Sequence, residues 1–431
     1  MIYPVSKAAP YGEATFGGQP GSSLAPLRIV PRLHLPERLT EMALLAREPT
    51  PWDVRTAGRL GGFPVAAPLV VPAMGSTAIA HRHGIATARA AAQAGIPLVL
   101  GENIATVHGY DRPRSDAGVT FKDRLMAYLD VLAEAGPAAP GGIVIQQSVE
   151  DAMDELWWKV YTDPDVLPHL EAGRIGFEIK VGQGAKPGLG GLTLVDDAQA
   201  AELGRDYHLG SLPVEDGHGE VRRERFSAPG TFTTDILEAQ VRHLTNDFPK
   251  ARFWVKLPPS RDALDLAAAA ARGGAHMVTL DGAEAGSALA PTIALDSFGL
   301  PLLALAAGLP TAALPATCDV LFSGGLATGA DAAKAMALGA SGAAFGRAIL
   351  QAVVDGGEEA GRLAIEALAH ELRIAAYAAG ELDTSSLDRR ALACDDQGLA
   401  TALGIDWTYV AAVPHPAEVP AARLERPPRP L

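Results

Sequence analysis

From Pro64 onward, short apolar runs alternate with longer, Ala-rich stretches whose apolar positions recur every three or four residues. The runs are AAPLVVPAM (66–74), PLVLGEN (97–103), GIVIQQ (142–147), GFEIKVGQ (176–183), FWVKLPP (253–259), HMVTLDG (276–282), CDVLFSGG (318–325) and GAAFGRAIL (342–350). Apolar runs of this length, bounded by Gly and Pro, read as strands buried on both faces. The stretches 81–94, 150–161, 235–247, 262–273, 329–339 and 357–379 read as the helices between them. Eight strand-helix units in roughly 300 residues predict an α/β fold of the TIM (β/α)8 barrel type rather than an open sheet. The second and sixth connections carry the weakest helical signal, and 184–234 combine many charges with little apolar periodicity. Residues 1–62 are rich in Pro and Gly, with one short helix around 36–48, and read as an N-terminal arm. The barrel is placed at 63–380. A C-terminal extension follows at 381–431, ending HPAEVPAARLERPPRPL, either draped over the barrel or docked on a neighbour.

Composition narrows the class of partner. Of 431 residues, 48% are hydrophobic and 20% charged, enough for a large packed core, and the formal charge of −14 argues against nucleic acid or an anionic membrane as ligand. The start, MIYPVSKAAPYGEATF, lacks the apolar core of a signal peptide, and no apolar run approaches the ~18 residues of a membrane span, so the chain reads as cytoplasmic. Cys318 and Cys394 stand 76 positions apart without metal-ligand spacing, so neither a zinc site nor an iron-sulfur cluster is expected, and Cys318 reads as a buried small side chain. His81, His83 and His108 lack the accompanying carboxylate pattern of a metal centre, and no metal is expected. Trp157 and Trp158 are expected to pack a helix against the barrel or against an oligomer partner.

In a TIM barrel the chemistry sits at the C-terminal ends of the strands. Glu102, Asn103, Gln146, Gln147, Lys180, Gln183, Lys256 and Asp281 fall there. Near the chain's end, SGGLATGADAAKAMALGASGAAFGRAIL puts Gly324 and Gly325 after the seventh strand, and Gly346 and Arg347 after the eighth. Open backbone N–H groups, a helix N-terminus and a guanidinium fork together predict a phosphate cradle. Lys180, Lys256 and the Gln146/Gln147 pair would suit the anionic edge of a reduced flavin. The same lysines could instead pair with carboxylates at the rim.

The most informative stretch is GFEIKVGQGAKPGLGG (176–191), with five glycines in its last ten positions. It resembles the IKxxQGAKPGxGG signature of the FMN-binding synthase domain of the glutamate synthase-like family. DGAEAGSALAP (281–291) is similar to that family's DGAEGGTGAAP, SAPGTFTTDI (227–236) to its Ser-Pro-rich loop, and the glycine-rich end to its phosphate site. The resemblance covers roughly residues 64 to 390. It implies a barrel that holds FMN, whose reduced form passes hydride to 2-iminoglutarate made from 2-oxoglutarate and ammonia. It further implies that Gln183 and Lys186 contact the substrate, that Lys180 lies at flavin and substrate, that Arg205 clamps a carboxylate, and that Glu102 stands where ammonia enters. The implied cofactor-binding set is Pro72, Ala73, Met74, Gln146, Lys180, Lys256, Gly286, Ser323, Gly324, Gly325, Gly346 and Arg347, with Lys186, Glu102 and Lys180 as catalytic residues.

The departures from the family pattern are informative too. Residues 351–395 offer only Cys394 in place of three cluster cysteines, and no glutaminase segment precedes the barrel. The family's GEGG reads GENI (101–104), its GGTGA reads AGSAL (285–289), and an expected histidine pair reads Phe232, Thr233, Thr234. Each change is expected in a loop facing the site, where added side chains would reshape the pocket. The resulting expectation is an FMN-dependent oxidoreductase of amino acid metabolism. It would act on a small amino, imino or 2-oxo acid, with room for an external reductase or amidotransferase partner and for a homo-oligomer. The alternatives are a flavin-binding subunit of a multi-component oxidoreductase, a 2-hydroxy acid oxidase-like enzyme or an isomerase-like enzyme. An oxidase of that kind would want a His/Arg pair near strand seven, which CDVLFSGG does not show.

Overall fold

Eight parallel strands close on themselves: β1 (Leu69–Met74), β2 (Leu98–Leu100), β3 (Ile143–Gln147), β4 (Ile175–Lys180), β5 (Arg252–Leu257), β6 (Met277–Asp281), β7 (Asp319–Ser323) and β8 (Gly342–Ala344). Each pairs with its sequence neighbours, and β8 pairs with β1 to complete the ring. The computed structural model describes residues 3–4, 9–11, 14–16, 21–74, 78–113, 118–147, 149–182, 192–195, 197, 200–201, 209–215, 221–226, 233–285 and 297–408. The eight-stranded barrel expected from the apolar runs is thus the fold observed.

The helices that cover it are α1 (Ala78–Gln93), α2 (Phe121–Ala135), α3 (Leu156–Thr162), α4 (Thr234–Asp247), α5 (Ala263–Arg272), α6 (Leu302–Gly308), α7 (Gly329–Ala337) and α8 (Arg347–Ala379). The second connection, weak in the sequence, holds α2, nucleated by a capping box in which Thr120 and Asp123 satisfy each other's backbone N–H groups. The sixth holds only the seven-residue α6, too short to show a clear period. α8 starts ten residues earlier than the expected 357–379, because the run read as GAAFGRAIL ends as strand at Ala344. Gly356 and Gly357 break α8 into two helical pieces, Gly357 at φ 71°. The charged connection after β4 is not structureless: Leu192–Val195 and Leu209–Glu215 both pair antiparallel with Val221–Phe226.

One face of the strands turns inward, and its alternation sets the site. Val70, Val99, Val144, Trp254, Met277, Leu321 and Ala344 form an apolar layer inside the barrel. A hairpin of Gly58–Leu60 and Phe63–Val65 plugs the N-terminal end of that layer with Leu60, Phe63 and Val65. Gly176 of β4 makes room for the plug, since a Cβ there would stand 3.2 Å from the Phe63 ring. The plug is latched by Trp254, whose Nε1 donates to Gly61 O at 2.8 Å, and by Asp319, which accepts from Gly61 N at 2.7 Å.

Arm and extension are woven together. Leu27–Ile29 pairs antiparallel with Leu392–Cys394, which pairs in parallel with Asp406–Trp407. Arg55 of the arm is salt-bridged to Asp383, and Lys334 Nζ of α7 donates to Leu24 O at 3.1 Å. The arm helix spans Arg38–Leu45, inside the expected 36–48. Among the described residues no helix is long and apolar enough to cross a membrane.

Trp254 is fully buried in the inner layer, so Trp254→Ala should lower unfolding free energy by about 3–5 kcal/mol through the cavity and the lost latch. Trp254→Phe should lower it by about 1–3 kcal/mol, because it leaves the Gly61 carbonyl unsatisfied. Urea unfolding at constant m-value measures both.

Candidate active site

Two residues beyond the apolar layer, the inward face turns polar. The period-2 pleat places Gln146 after Val144, Glu178 after Gly176, Lys256 after Trp254, Thr279 after Met277 and Ser323 after Leu321, with Lys180 and Asp281 two further on. Seven polar side chains from five strands therefore meet above a hydrophobic floor.

Their charges are paired in a definite way. Lys180 Nζ contacts Glu102 Oε1 at 2.5 Å, and Lys256 Nζ contacts Asp281 Oδ2 at 3.0 Å. The rim-pairing alternative is therefore the observed arrangement, and both lysines meet a carboxylate at the barrel mouth. All four side chains are at most 16% exposed, so removing one partner would strand a charge at about 3–5 kcal/mol. Burial pulls the Lys256 pKa down, but Asp281, Glu178 and Glu102 outweigh it and leave it raised, so Lys256 is a cation. Among the described residues, the hydrogen-bond donors to Glu178, which is 1% exposed, are both neutral: Gln146 Nε2 at 2.6 Å and Thr279 Oγ1 at 3.4 Å. Burial, aided by Asp281, pushes its carboxyl up to about 7 against the opposing pull of Lys256, Gln146 and Lys180. Two buried acceptors, Glu102 Oε2 and Asp281 Oδ1, have no hydrogen-bond partner among the described residues.

Glu102 reaches the mouth on a loop with an unusual backbone. Asn103 adopts φ 62°, ψ 9°, the left-handed region that Asn tolerates better than other side chains. Asp151, fully buried, holds this loop by accepting from Asn103 N at 2.7 Å and Thr106 Oγ1 at 2.8 Å. Ile104 points away into the outer core at 2% exposure. Of the two residues that replace glycine in GENI, Asn103 keeps a glycine-like backbone and Ile104 packs into the outer core rather than the site. Thr233, likewise expected to face the site, is the N-cap of α4 and accepts from Ile236 N at 3.3 Å.

On the opposite side lie the residues expected to cradle phosphate. Gly324 and Gly325 sit at φ 113° and 72°, and a Cβ on Gly325 would stand 2.6 Å from Gly21 O and 2.8 Å from Glu284 Cβ. Both position and dihedral therefore demand glycine. The two helices that follow differ at their N-termini: α7 is closed by the Thr328/Asp331 capping box, whereas α8, entered through Gly346, has no side-chain cap. Arg347 opens α8 and donates from Nη2 to Glu284 O at 3.4 Å. Glu284 Oε2 accepts from Leu302 N at 3.1 Å, which ties the loop after β6 to α6. Pro72, Ala73 and Met74 are half-buried on β1, and a Cβ on Gly346 would stand 3.4 Å from Pro72.

The barrel thus gathers Glu102, Gln146, Lys180 and Lys256 on one side of its mouth and Ser323, Gly324, Gly325, Gly346 and Arg347 on the other. Gln183, Lys186, Arg205 and Gly286 lie outside the described residues. Sequence reasoning named Asp281 without a role and missed Glu178, Thr279 and Asp151. Glu178 was findable, because it precedes Lys180 by two and must share its face.

The histidines form a different structure. His81 and His108 stack at 3.6 Å, and Arg124 hydrogen-bonds to His81 Nδ1. Burial, then Arg124 and His108, depress the His81 pKa to about 4. A guanidinium in that position disfavours a cation, and among the described residues no group of three or more His, Cys, Asp or Glu could hold a metal. Trp157 packs inward, stacked on Phe177 at 4.8 Å with Nε1 donating to Ile145 O, while Trp158 is 47% exposed. Cys318 and Cys394 are both buried and free, and burial pushes the Cys318 thiol up to about 12.

Comparison with known proteins agrees with this geometry. Residues 294–394, which carry β7, β8 and the glycine cradle, match the family model for FMN-dependent dehydrogenases. A glutamate synthase large subunit-like protein of Rhizobium meliloti is 34% identical over 183 residues, covering 41% of this chain and 39% of that protein. An archaeal glutamate synthase (NADPH) of Methanocaldococcus jannaschii is 30% identical over 215 residues, covering 44% and 38%. These matches span about two-fifths of the curated relatives' length. A 4-hydroxymandelate oxidase of Amycolatopsis orientalis is 42% identical over 69 residues, 16% of this chain and 19% of that protein. Among solved structures, a flavocytochrome b2 variant with sulfite bound superposes with a TM-score of 0.55 at 17% identity, covering 90% of this chain and 82% of the other, which shows the shared fold. The resemblance to the glutamate synthase-like family is thereby borne out: over about two-fifths of its length the chain is similar to glutamate synthase-like proteins, it matches the FMN-dependent dehydrogenase model at 294–394, and it shares its barrel fold with the flavocytochrome b2 variant.

Proposed function

We propose that this protein is an FMN-dependent oxidoreductase that moves hydride between the flavin and a small amino, imino or 2-oxo acid resembling 2-oxoglutarate. The observation that carries this reading is the division of one barrel mouth into a glycine-rich anion cradle, entered by the uncapped α8, and a facing set of paired lysines and carboxylates.

The residues fit FMN on three counts. Gly324 and Gly325, both half-buried, let the loop after β7 pack closely on Gly21, Gly282 and Glu284 in a left-handed backbone, and Arg347 lies at the head of the uncapped α8. The barrel floor under the mouth is apolar and closed by the hairpin plug, which keeps water out from below. Asp281 Oδ1 and Glu102 Oε2 are buried acceptors without partners among the described residues, and both suit N–H donors. Bound there, FMN would supply two-electron hydride chemistry.

This chain's own residues would do the rest. Ser323, Gly324, Gly325, Gly346 and Arg347 would hold the phosphate; Pro72, Ala73, Met74, Gln146 and Gly286 would border the ring. Lys256 is a cation that would stabilise negative charge developing at its edge. Lys180, Gln183, Lys186 and Arg205 would bind the acid's carboxylates. Glu102, held by Asp151 through the Asn103 loop, would accept or return a proton at the substrate nitrogen. Ammonia from an external amidotransferase and electrons from an external reductase complete this reading, with residues 63–380 as the catalytic unit. Oxidation of a 2-hydroxy acid is the second reading, favoured by the match to the 4-hydroxymandelate oxidase.

Purified protein should bind FMN and turn yellow. Arg347→Ala should raise the FMN dissociation constant roughly 10- to 100-fold, the worth of a charge-assisted hydrogen bond, while riboflavin, which has no phosphate, binds both forms alike. Equal losses for the two flavins would place the phosphate elsewhere. With a chemical reductant, FMN-loaded enzyme should convert 2-oxoglutarate and ammonia to glutamate, and Glu102→Gln should reduce turnover about 10²- to 10⁴-fold. Anaerobic bleaching of the flavin by mandelate, without glutamate formation, would favour the second reading.

A further inference from the structure

Among the described residues, the inner face of the barrel around Glu178 holds an unequal number of charges, three carboxyls to two lysines. Two cations, Lys180 and Lys256, each already contact a carboxylate, Glu102 at 2.5 Å and Asp281 at 3.0 Å. Glu178 is a third carboxyl, buried deeper than either pair, and its hydrogen-bond donors are the neutral Gln146 and Thr279. If all five groups ionise, the cluster carries a net negative charge inside a low-dielectric barrel. Protonation of Glu178 removes that charge without breaking either ion pair, and it is the group for which ionisation is least compensated.

We propose that Glu178 is a positioning residue that takes up a proton when the flavin above it is reduced, so that the barrel interior keeps its net charge. The inference rests on the FMN reading above. The balance is two electrons and two protons per flavin: a hydride donor such as reduced nicotinamide supplies the electrons together with the one proton carried on the cofactor, or an electrode supplies the electrons and solvent that proton, and in either case one further proton from solvent forms an O–H bond on the Glu178 carboxylate. On reoxidation that O–H bond breaks and the proton leaves. The groups facing Glu178 are Gln146 from β3, Lys180 from its own strand, Lys256 from β5, and Thr279 and Asp281 from β6, with Glu102 reached through Lys180. Added negative charge near these groups raises the proton affinity of the carboxyl, because Lys180 and Lys256, which pull against it, are already paired with Glu102 and Asp281.

The position of Glu178's titration sets the window. Its carboxyl lies near 7 in the protein as described, above the ordinary carboxylate value. Below about pH 7 it holds its proton in both redox states, and above it the proton arrives only on reduction. The flavin midpoint potential should therefore fall by about 30 mV per pH unit in acid and steepen to about 59 mV per pH unit above neutrality, the constants for one and two protons in a two-electron couple. Glu178→Gln, which keeps the shape and the hydrogen bonds, should stay near 30 mV per pH unit throughout. With the electrons delivered electrochemically, so that no reductant carries or releases protons, a pH-indicator dye should record two protons taken up per flavin in the wild type at pH 8 and one in the variant.

Two further measurements separate the failure of this proposal from the failure of the cofactor reading. Reduced-minus-oxidised infrared spectra of the wild type at pH 8 should gain a protonated-carboxyl band, so the idea remains testable even if Glu178→Gln does not fold. Without flavin, the folded wild type binds this proton more tightly than the unfolded chain does, so its stability relative to Glu178→Gln should decline as pH rises from the ordinary carboxylate value towards 7, and level off above it. FMN uptake with one proton per flavin in both forms, identical potential slopes and no carboxyl band would overturn the proposal and leave the cofactor reading intact. Failure to take up FMN would overturn both, while the flavin-free stability difference would still report where Glu178 titrates.

Discussion

The barrel interior of this protein stacks a charged layer directly on an apolar one, and the site depends on the charges in that layer being matched by neighbours one or two strands away. Lys256 meets Asp281 from the adjacent β6, and Lys180 meets Glu102 from the loop after β2, two strands along the same side of the mouth. At these burials an unpaired ammonium or carboxylate would be expelled or neutralised, so the pairs are a condition for having cations there at all. Glu178 is the exception that makes the layer responsive, since its partners are dipoles rather than charges.

What lies beneath the charges is as important. The hairpin of residues 58–65 fills the barrel's N-terminal end with Leu60, Phe63 and Val65, and Trp254 latches it through Gly61. Removing water from that side lowers the local dielectric and strengthens every electrostatic contact above it. The N-terminal segment therefore contributes to the site without touching the mouth. Further along, Gly21 and Ser22 lie against Gly325, so the arm also backs the glycine cradle.

Three loop positions that depart from the family pattern have a local structural explanation. Asn103 stands where the family pattern has glycine and adopts a left-handed backbone, with Asp151 gripping its N–H. Ile104 turns into the outer core and Thr233 caps α4. Departures that read as a reshaped pocket are, at these three positions, substitutions that the backbone and the core absorb.

Eight apolar runs bounded by Gly and Pro were enough to specify the barrel, because a strand covered on both faces must be apolar along its length. The same parity put Lys180, Lys256, Gln146 and Asp281 at one rim, and the glycines and Arg347 at the other side of it, as a matter of counting along each strand. The helix of the second connection and the small sheet after β4 were faint, the one set by a local capping box and the other by a hairpin of 209–215 with 221–226 on which the more distant 192–195 also pairs. Which lysine meets which carboxylate, why Glu178 is left with neutral partners, and how Asp151 holds the Glu102 loop were settled only by the tertiary structure. Those contacts join residues tens of positions apart in sequence, and their energies come from burial and from distances of a few ångströms, which exist only once the barrel has closed.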